Sequence, residues 1–386
     1  MAGWIEAQLP LAAQDVRAGQ TGTGKPFIIS VGVREEYDDN INTTSTNRQG
    51  SFATIISPDI TVNYPMNDTT FTARYAFGGT YYYNRGNDPW DFTHDFSAKV
   101  THQFSDRLSL DVRDEFSYSQ SPQIGTDNLI VRRQGNGWIN NANGDLTYSW
   151  TRRFSTVTGY HNSFNGYEDR QVNFDNEFVQ HGVTQDFRLQ VLEPTTAVLS
   201  YGFDNYDYAH INRDYSTHLF TVGADHYLLR EWLVTGRFGA QYVEYENPLE
   251  KGGFNPYVSV RTAWFYLPRC TLAASYNLGT DVTDFSSYGS QYRHNFGLSI
   301  DHSWTPRFTT GGSISLQFAD YSQNQALVAG AGNQNETTLV YDLHAAFAIT
   351  DWLSVNTGYT YTQVDSGDAA RKYERNQVYI GVRGTY

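Results

Sequence analysis

Apolar and polar residues alternate along most of the chain after Pro26. Leu353, Val355, Thr357, Tyr359 and Tyr361 fall on one face, and Ser354, Asn356, Gly358, Thr360 and Thr362 on the other. After Cys270, Leu272, Ala274, Tyr276 and Leu278 oppose Thr271, Ser275, Asn277 and Gly279. The closing segment sets Val378, Ile380, Val382 and Tyr386 against Gln377, Arg383 and Thr385. Side chains of a strand point alternately to its two faces, so this period of two predicts β-structure. Read throughout, it predicts 18 strands: 27–38, 50–64, 69–83, 91–104, 107–120, 137–150, 154–168, 178–192, 195–208, 215–228, 231–246, 253–267, 269–281, 290–304, 307–321, 336–349, 352–365 and 373–386.

A weak repeat marks the connections. Ser105-Asp106-Arg107-Leu108-Ser109, Thr151-Arg152-Arg153-Phe154-Ser155, Thr305-Pro306-Arg307-Phe308-Thr309 and Thr350-Asp351-Trp352-Leu353-Ser354 each read as a tight turn opening a strand, with looser copies at 229–233 and 267–271. Two long strands and one polar loop separate successive turns, which is one hairpin of an up-and-down barrel; propeller blades would need strands about half as long. The other connections, 39–49, 121–136, 169–177, 322–335 and 366–372, are longer and polar. An even strand count, short turns at one end and long loops at the other predict an all-β, transmembrane antiparallel up-and-down β-barrel. A sandwich would turn its polar face to water, whereas a barrel in lipid turns it inward.

Composition supports the barrel. Hydrophobic residues make up 39% and mean hydropathy is −0.53, yet aromatics reach 16%. No apolar run is long enough for a membrane helix, whereas a barrel needs lipid-compatible residues only at alternate positions. The net charge of −14 argues against nucleic acid as a partner. The single cysteine, Cys270, excludes an internal disulfide and a cysteine zinc cluster; it reads as a small hydrophobe on the lipid face. Residues 1–26 read as a flexible periplasmic leader, with any export signal removed or upstream of Met1. Residues 19–25 spell seven positions of a phosphate-binding loop, but Pro26 stands where Ser or Thr is needed, and a strand follows rather than a helix.

Aromatics cluster towards strand ends. Phe104, Trp150, Trp232, Trp304 and Trp352 lie at the short turns; Tyr81, Tyr83, Tyr118, Tyr206, Tyr208, Tyr245 and Tyr361 lie towards the long loops. These positions predict two interfacial girdles. The chain ends on Tyr386 in lipid-facing phase, which resembles the insertion signal of bacterial outer-membrane barrels.

The phase assigns the two walls. Lipid-facing positions include Leu272, Ala274, Leu278, Leu316, Phe347, Val355 and Val382. Lumen-lining positions include Arg74, Tyr82, Asp111, Arg113, Glu115, Asn141, Asn143, Arg237, Arg261, Asn277, Asp301, Gln317, Asp342, Asn356, Tyr379 and Arg383. Acids and bases nearly balance on this inner face, which suits a neutral or weakly charged hydrophilic solute better than a selective ion channel. Pairing across strands to stiffen the barrel accounts for the same charges. No HExxH or GxSxG motif occurs, so no catalytic residue, metal site or cofactor is expected. His161 and His344 read as lumenal, and His218, His226 and His302 as outward near strand ends. The acidic run after Glu35, Asp38-Asp39-Asn40, reads as turn chemistry rather than a calcium loop.

The opening strand, Ser30 to Ile41, ends in Tyr37-Asp38-Asp39-Asn40-Ile41 and resembles the start of the bacterial outer-membrane β-barrel porin 2 family. The resemblance extends by architecture over residues 27–386. It implies a bacterial outer-membrane pore, for some members one that passes secreted exopolysaccharide, with outer-membrane lipid and a periplasmic polysaccharide-export protein as partners. A passive diffusion porin and a plugged structural or adhesive barrel are the alternatives. Loops 121–136 and 322–335 are expected to be long enough to fold inward as a constriction.

Overall fold

The computed structural model describes residues 26–386 apart from 121–122, 125–129, 132–135, 169–175, 249–250, 284–287, 289 and 322–333. The leader through residue 25, with its phosphate-loop-like run, and most of the two loops expected to constrict the lumen lie outside the described residues. Eighteen long antiparallel strands form one sheet. They are β1 Phe27–Asp38, β2 Ser51–Pro65, β3 Thr69–Tyr82, β4 Trp90–Ser105, β5 Leu108–Ser119 and β6 Gly137–Ser149. β7 Phe154–Tyr167, β8 Phe178–Leu192, β9 Thr195–Tyr208, β10 Tyr215–Leu229, β11 Trp232–Tyr245 and β12 Gly253–Leu267 follow. β13 Cys270–Asp281, β14 Gln291–Thr305, β15 Phe308–Tyr321, β16 Gln334–Ala348, β17 Leu353–Ser366 and β18 Tyr373–Thr385 complete the set. Each strand pairs with its neighbours in sequence, and β18 pairs with β1 from Ser30↔Thr385 to Asp38↔Gln377, so the sheet closes. A two-residue strand pair, Gln123–Ile124 with Ile130–Val131, lies in the β5–β6 connection. The 18 strands match the sequence expectation to within a few residues at each end.

The turn repeat has a hydrogen-bonding cause. Thr151 Oγ1 accepts from the backbone N–H of Arg153 at 3.2 Å and of Phe154 at 3.0 Å. Thr305 does the same for Arg307 and Phe308, and Thr350 for Trp352 and Leu353. A hydroxyl at the first position thus replaces the backbone acceptor that the reversal removes. The copy at 267–271 lacks the hydroxyl and instead places Arg269 at φ 65, in the left-handed region.

The two faces of the sheet differ as the alternation requires. Ile29, Val31 and Val33 are exposed, while Ser30, Glu36 and Asp38 of the same strand are buried. Register carries this phase around the barrel. Val33 faces Val382, Val382 faces Val355, and Val355 faces Phe347. Leu316 faces Phe296, Ala274 faces Leu298, Leu278 faces Val258 and Leu272 faces Trp264, all on the exposed apolar face. A continuous apolar exterior of this kind fits lipid rather than water. Tyr386 extends the closing ladder: its N–H donates to Ile29 O at 2.8 Å.

One expectation fails in detail. Tyr206, Tyr208 and Tyr245 do not join an outer girdle; they share the inward phase of Asp204 and Val243 and pack inside the barrel. Period-two parity decides this, because two residues along a strand restore the same face. Cys270 shares the outward phase of Leu272 and Ala274 but is covered rather than open to lipid. It opens β13 beside the tight turn, is 1% exposed, and its Sγ lies 3.4 Å from the N–H of Ser303.

Candidate functional site

The register puts all sixteen lumen positions named above on the inner face. Arg74 faces Thr61, Tyr82 faces Ala53, and Arg113 of β5 has Lys99 on one side and Asn143 on the other. Asp111 faces Thr101 and Asp145, and Glu115 faces Ser97 and Asn141. The remaining positions fall into two unlike arcs.

One arc, from β16 through the closure to β5, is charged and internally paired. Arg375 Nε donates to Asp38 Oδ2 at 2.8 Å, and Gln377 donates to Glu36 at 3.1 Å. Arg34 pairs with Glu36 at 3.2 Å, and its guanidinium stands 4.9 Å from the Tyr379 ring. Arg383 pairs with Asp59, which also meets Arg74 at 3.6 Å. Lys99 pairs with Asp111 at 3.1 Å, and Arg113 with Glu115. His344 on β16 bridges Asp342 at 2.9 Å and Asp301 at 3.6 Å. Across the barrel, Arg237 meets Asp225 at 2.7 Å and Arg188 meets Asp186 at 3.0 Å. Opposite charges this close cancel at the distance of a passing solute, so the wall offers little net field.

The other arc, β12–β17, overlaps the first at β16 and β17 and is rich in hydroxyl and amide groups. Ser259, Asn277, Asn295, Gln317 and Thr338 are successive register partners and form one row across five strands. Beside it, Ser275, Gly297 and Ser315 continue from Arg261, which has no carboxylate partner among the described residues. Ser259 donates to Asn277 at 2.8 Å, whereas the side-chain oxygens of Asn295, Gln317 and Asn356 are buried without a donor. Such acceptors are open to an O–H or N–H donor, water included.

At the long-loop end, an aromatic cluster fills part of the interior. Tyr206 stacks on Tyr215 with ring centroids 4.4 Å apart, and Tyr208, Val243 and Val282 complete the buried group. Val282 belongs to the β13–β14 connection, whose described residues Val282, Thr283, Tyr288 and Ser290 meet interior groups. Arg213 donates to Thr283 O at 2.9 Å, and Tyr245 bonds Ser290 at 2.6 Å. Further along this connection, Tyr288 packs on Tyr321 and Ala319. Sequence reasoning sought a constriction in the two longest loops, which lie mostly outside the described residues, and did not single out the described ends of this shorter connection. Its signal was available: Val282 and Tyr288 are apolar or aromatic positions within a largely polar connection.

His161 Nε2 lies 2.5 Å from Asp204, which Gln180 also holds at 2.9 Å, while the nearby Ser163 donates to Asn141. Among the described residues, no group of three or more His, Cys, Asp or Glu is arranged to hold a metal ion.

Solved structures with a similar fold include the following three. OccK2 (OpdF) of Pseudomonas aeruginosa, in complex with glucuronate, is 12% identical with a TM-score of 0.48, over 93% of this chain and 98% of that one. OccAB4 of Acinetobacter baumannii is 9% identical with a TM-score of 0.47, over 94% and 99%. The siderophore receptor PirA from Pseudomonas aeruginosa is 10% identical with a TM-score of 0.46, over 94% and 80%. No curated protein sequence matches the chain. The family described as Putative beta-barrel porin 2 matches residues 256–386, so its sequence signal falls on the last seven strands, away from the opening strand that first suggested it.

Proposed function

We propose that the protein is a bacterial outer-membrane pore that passes a hydrophilic, carbohydrate-like cargo without chemical change. The observation that carries this reading is the hydroxyl and amide row Ser259–Asn277–Asn295–Gln317–Thr338, set in a wall whose charges are largely paired. Sugars bind through hydroxyl hydrogen bonds and stacking on aromatic faces, and a passage must bind weakly enough to release. Neutral groups spread over several strands meet that requirement better than one deep charged pocket. Secreted exopolysaccharide is the favoured cargo, delivered by a periplasmic export protein; this choice rests on the family likeness. Deleting the gene should abolish secreted exopolysaccharide while uptake of small sugars continues.

The alternative is a diffusion porin for small solutes. The aromatic cluster at Tyr206 and Tyr215 favours it, because it narrows one side of the long-loop end. Lost uptake with normal secretion after deletion would reject the export reading and support diffusion.

A further inference from the structure

Three strands carry one nine-residue pattern on their outer face. His94–His102 of β4, His218–His226 of β10 and His294–His302 of β14 each place histidine at both ends. Phenylalanine stands at the third position, and small or aliphatic residues at the fifth and seventh: Phe96, Ala98, Val100; Phe220, Val222, Ala224; Phe296, Leu298, Ile300. All of these residues share the outward phase. The eight-residue interval spans about 27 Å along a strand at ~3.4 Å per residue. At a tilt near 40° this is roughly 21 Å along the barrel axis, close to the ~25 Å apolar band of such barrels.

Each histidine is already bonded at Nδ1 by a hydroxyl, on the neighbouring strand in six cases and, for His302, from Tyr266 at the end of β12, one strand further away. Towards the long loops, Tyr75 meets His94 at 2.8 Å, Tyr201 meets His218 at 2.9 Å and Tyr276 meets His294 at 3.0 Å. Tyr160 repeats the contact with His181 at 2.8 Å. Towards the short turns, Thr69 meets His102 at 2.6 Å, Thr195 meets His226 at 2.8 Å and Tyr266 meets His302 at 2.8 Å. With the hydroxyl donating to Nδ1, the neutral ring carries its proton on Nε2. Among the described residues none of these seven Nε2 atoms has a protein partner. A free N–H is costly in hydrocarbon. Lipid head groups, with their phosphate oxygens, offer acceptors for it one step further out.

A groove adjoins the lower belt. It has a volume of about 640 Å³ and is lined by Ile300, His302, Trp304, Leu343, Tyr359 and Val378. Thr310, Thr357 and His344 also border it, but the lining is predominantly apolar and suits an acyl chain.

We infer that these outward histidines are phospholipid sites, two belts in which each hydroxyl-bound imidazole donates Nε2–H to a head-group phosphate oxygen. An acyl chain lies in the groove beside His302. The inference depends on the proposed bilayer location and not on what the lumen carries. The test uses the full chain with ¹⁵N-labelled histidine, folded into dilauroyl phosphatidylglycerol vesicles, and reads ¹⁵N–³¹P dipolar dephasing. Nε2 signals should dephase and Nδ1 signals should not, and His218→Gln with His226→Gln should remove their share while the barrel keeps its folded gel mobility. An inserted barrel whose Nε2 signals show no ³¹P contact overturns the inference and leaves the bilayer reading standing; failure to insert at all overturns both. In galactolipid vesicles with inorganic phosphate in the buffer, no dephasing is expected. Dephasing there would make free phosphate the ligand and reject the lipid assignment.

Discussion

Arg375 on the last strand donates through Nε to Asp38 on the first at 2.8 Å, joining residues 337 positions apart across the line where the barrel closes. Asp38 is 1% exposed and Arg375 11% exposed at their side chains. Removing one partner strands a buried charge, at a cost of about 3–5 kcal/mol. Asp38→Asn should therefore lower the unfolding midpoint in urea by an amount consistent with that loss. The double variant Asp38→Asn with Arg375→Gln should recover part of it. A single variant as stable as the parent would show that the seam is held by its backbone ladder alone.

The outer phase predicts an asymmetry between adjacent residues of β15. Leu316 faces outward opposite Phe296, and Gln317 faces inward opposite Asn295. Leu316→Arg should cost roughly 2–4 kcal/mol in a bilayer, as charges at mid-span do on the lipid face. Gln317→Arg should cost clearly less, because its side chain meets the polar interior. Equal losses in refolding into vesicles would contradict the assigned phase.

In planar bilayers the purified protein should give a stable conductance with weak preference between cations and anions. The reason is the pairing of Arg383 with Asp59, of Lys99 with Asp111 and of Arg237 with Asp225. Arg261→Glu removes a lumen cation that has no carboxylate partner and should shift the reversal potential towards cation selectivity. A pore with strong single-sign selectivity before any substitution would show that the pairs do not cancel. A barrel that conducts no ions would point to a plug or to a partner that opens it.

Tyr215 offers a test of the aromatic cluster. Its ring is 1% exposed against Tyr206, yet its hydroxyl is buried without a hydrogen-bond partner. Tyr215→Phe should be neutral or stabilising by about 1 kcal/mol, since it removes an unsatisfied group and keeps the ring. Tyr215→Ala should destabilise by about 3–5 kcal/mol through the cavity it leaves, and should raise conductance by widening that side of the mouth. A large loss in Tyr215→Phe would show that the hydroxyl is bonded in the membrane-inserted protein.

The alternation of Leu353 to Thr362 is local chemistry. Each Cβ points opposite to the last, so a strand's two faces are readable wherever one face is apolar. Parity then places Arg383 and Asn277 on one wall and Val382 and Leu278 on the other, without knowledge of any partner strand. The turns were legible for a similar reason: Thr151 and Thr305 serve as acceptors within their own few residues. Parity even contradicts the expected outward placement of Tyr206 and Tyr208, which share a face with Asp204. Long-range geometry is another matter. The row from Ser259 to Thr338 depends on the register of four separate strand pairs, and the Arg375–Asp38 bond depends on the last strand returning to the first. The placement of Thr283 and Ser290 at the ends of the β13–β14 connection rests on Arg213 and Tyr245, which lie 70 and 45 residues from them. Sequence determined which face each side chain takes, because that is fixed by the covalent geometry of a strand. Only the closed barrel decided which of those side chains meet, because that depends on stagger and closure summed over the whole sheet.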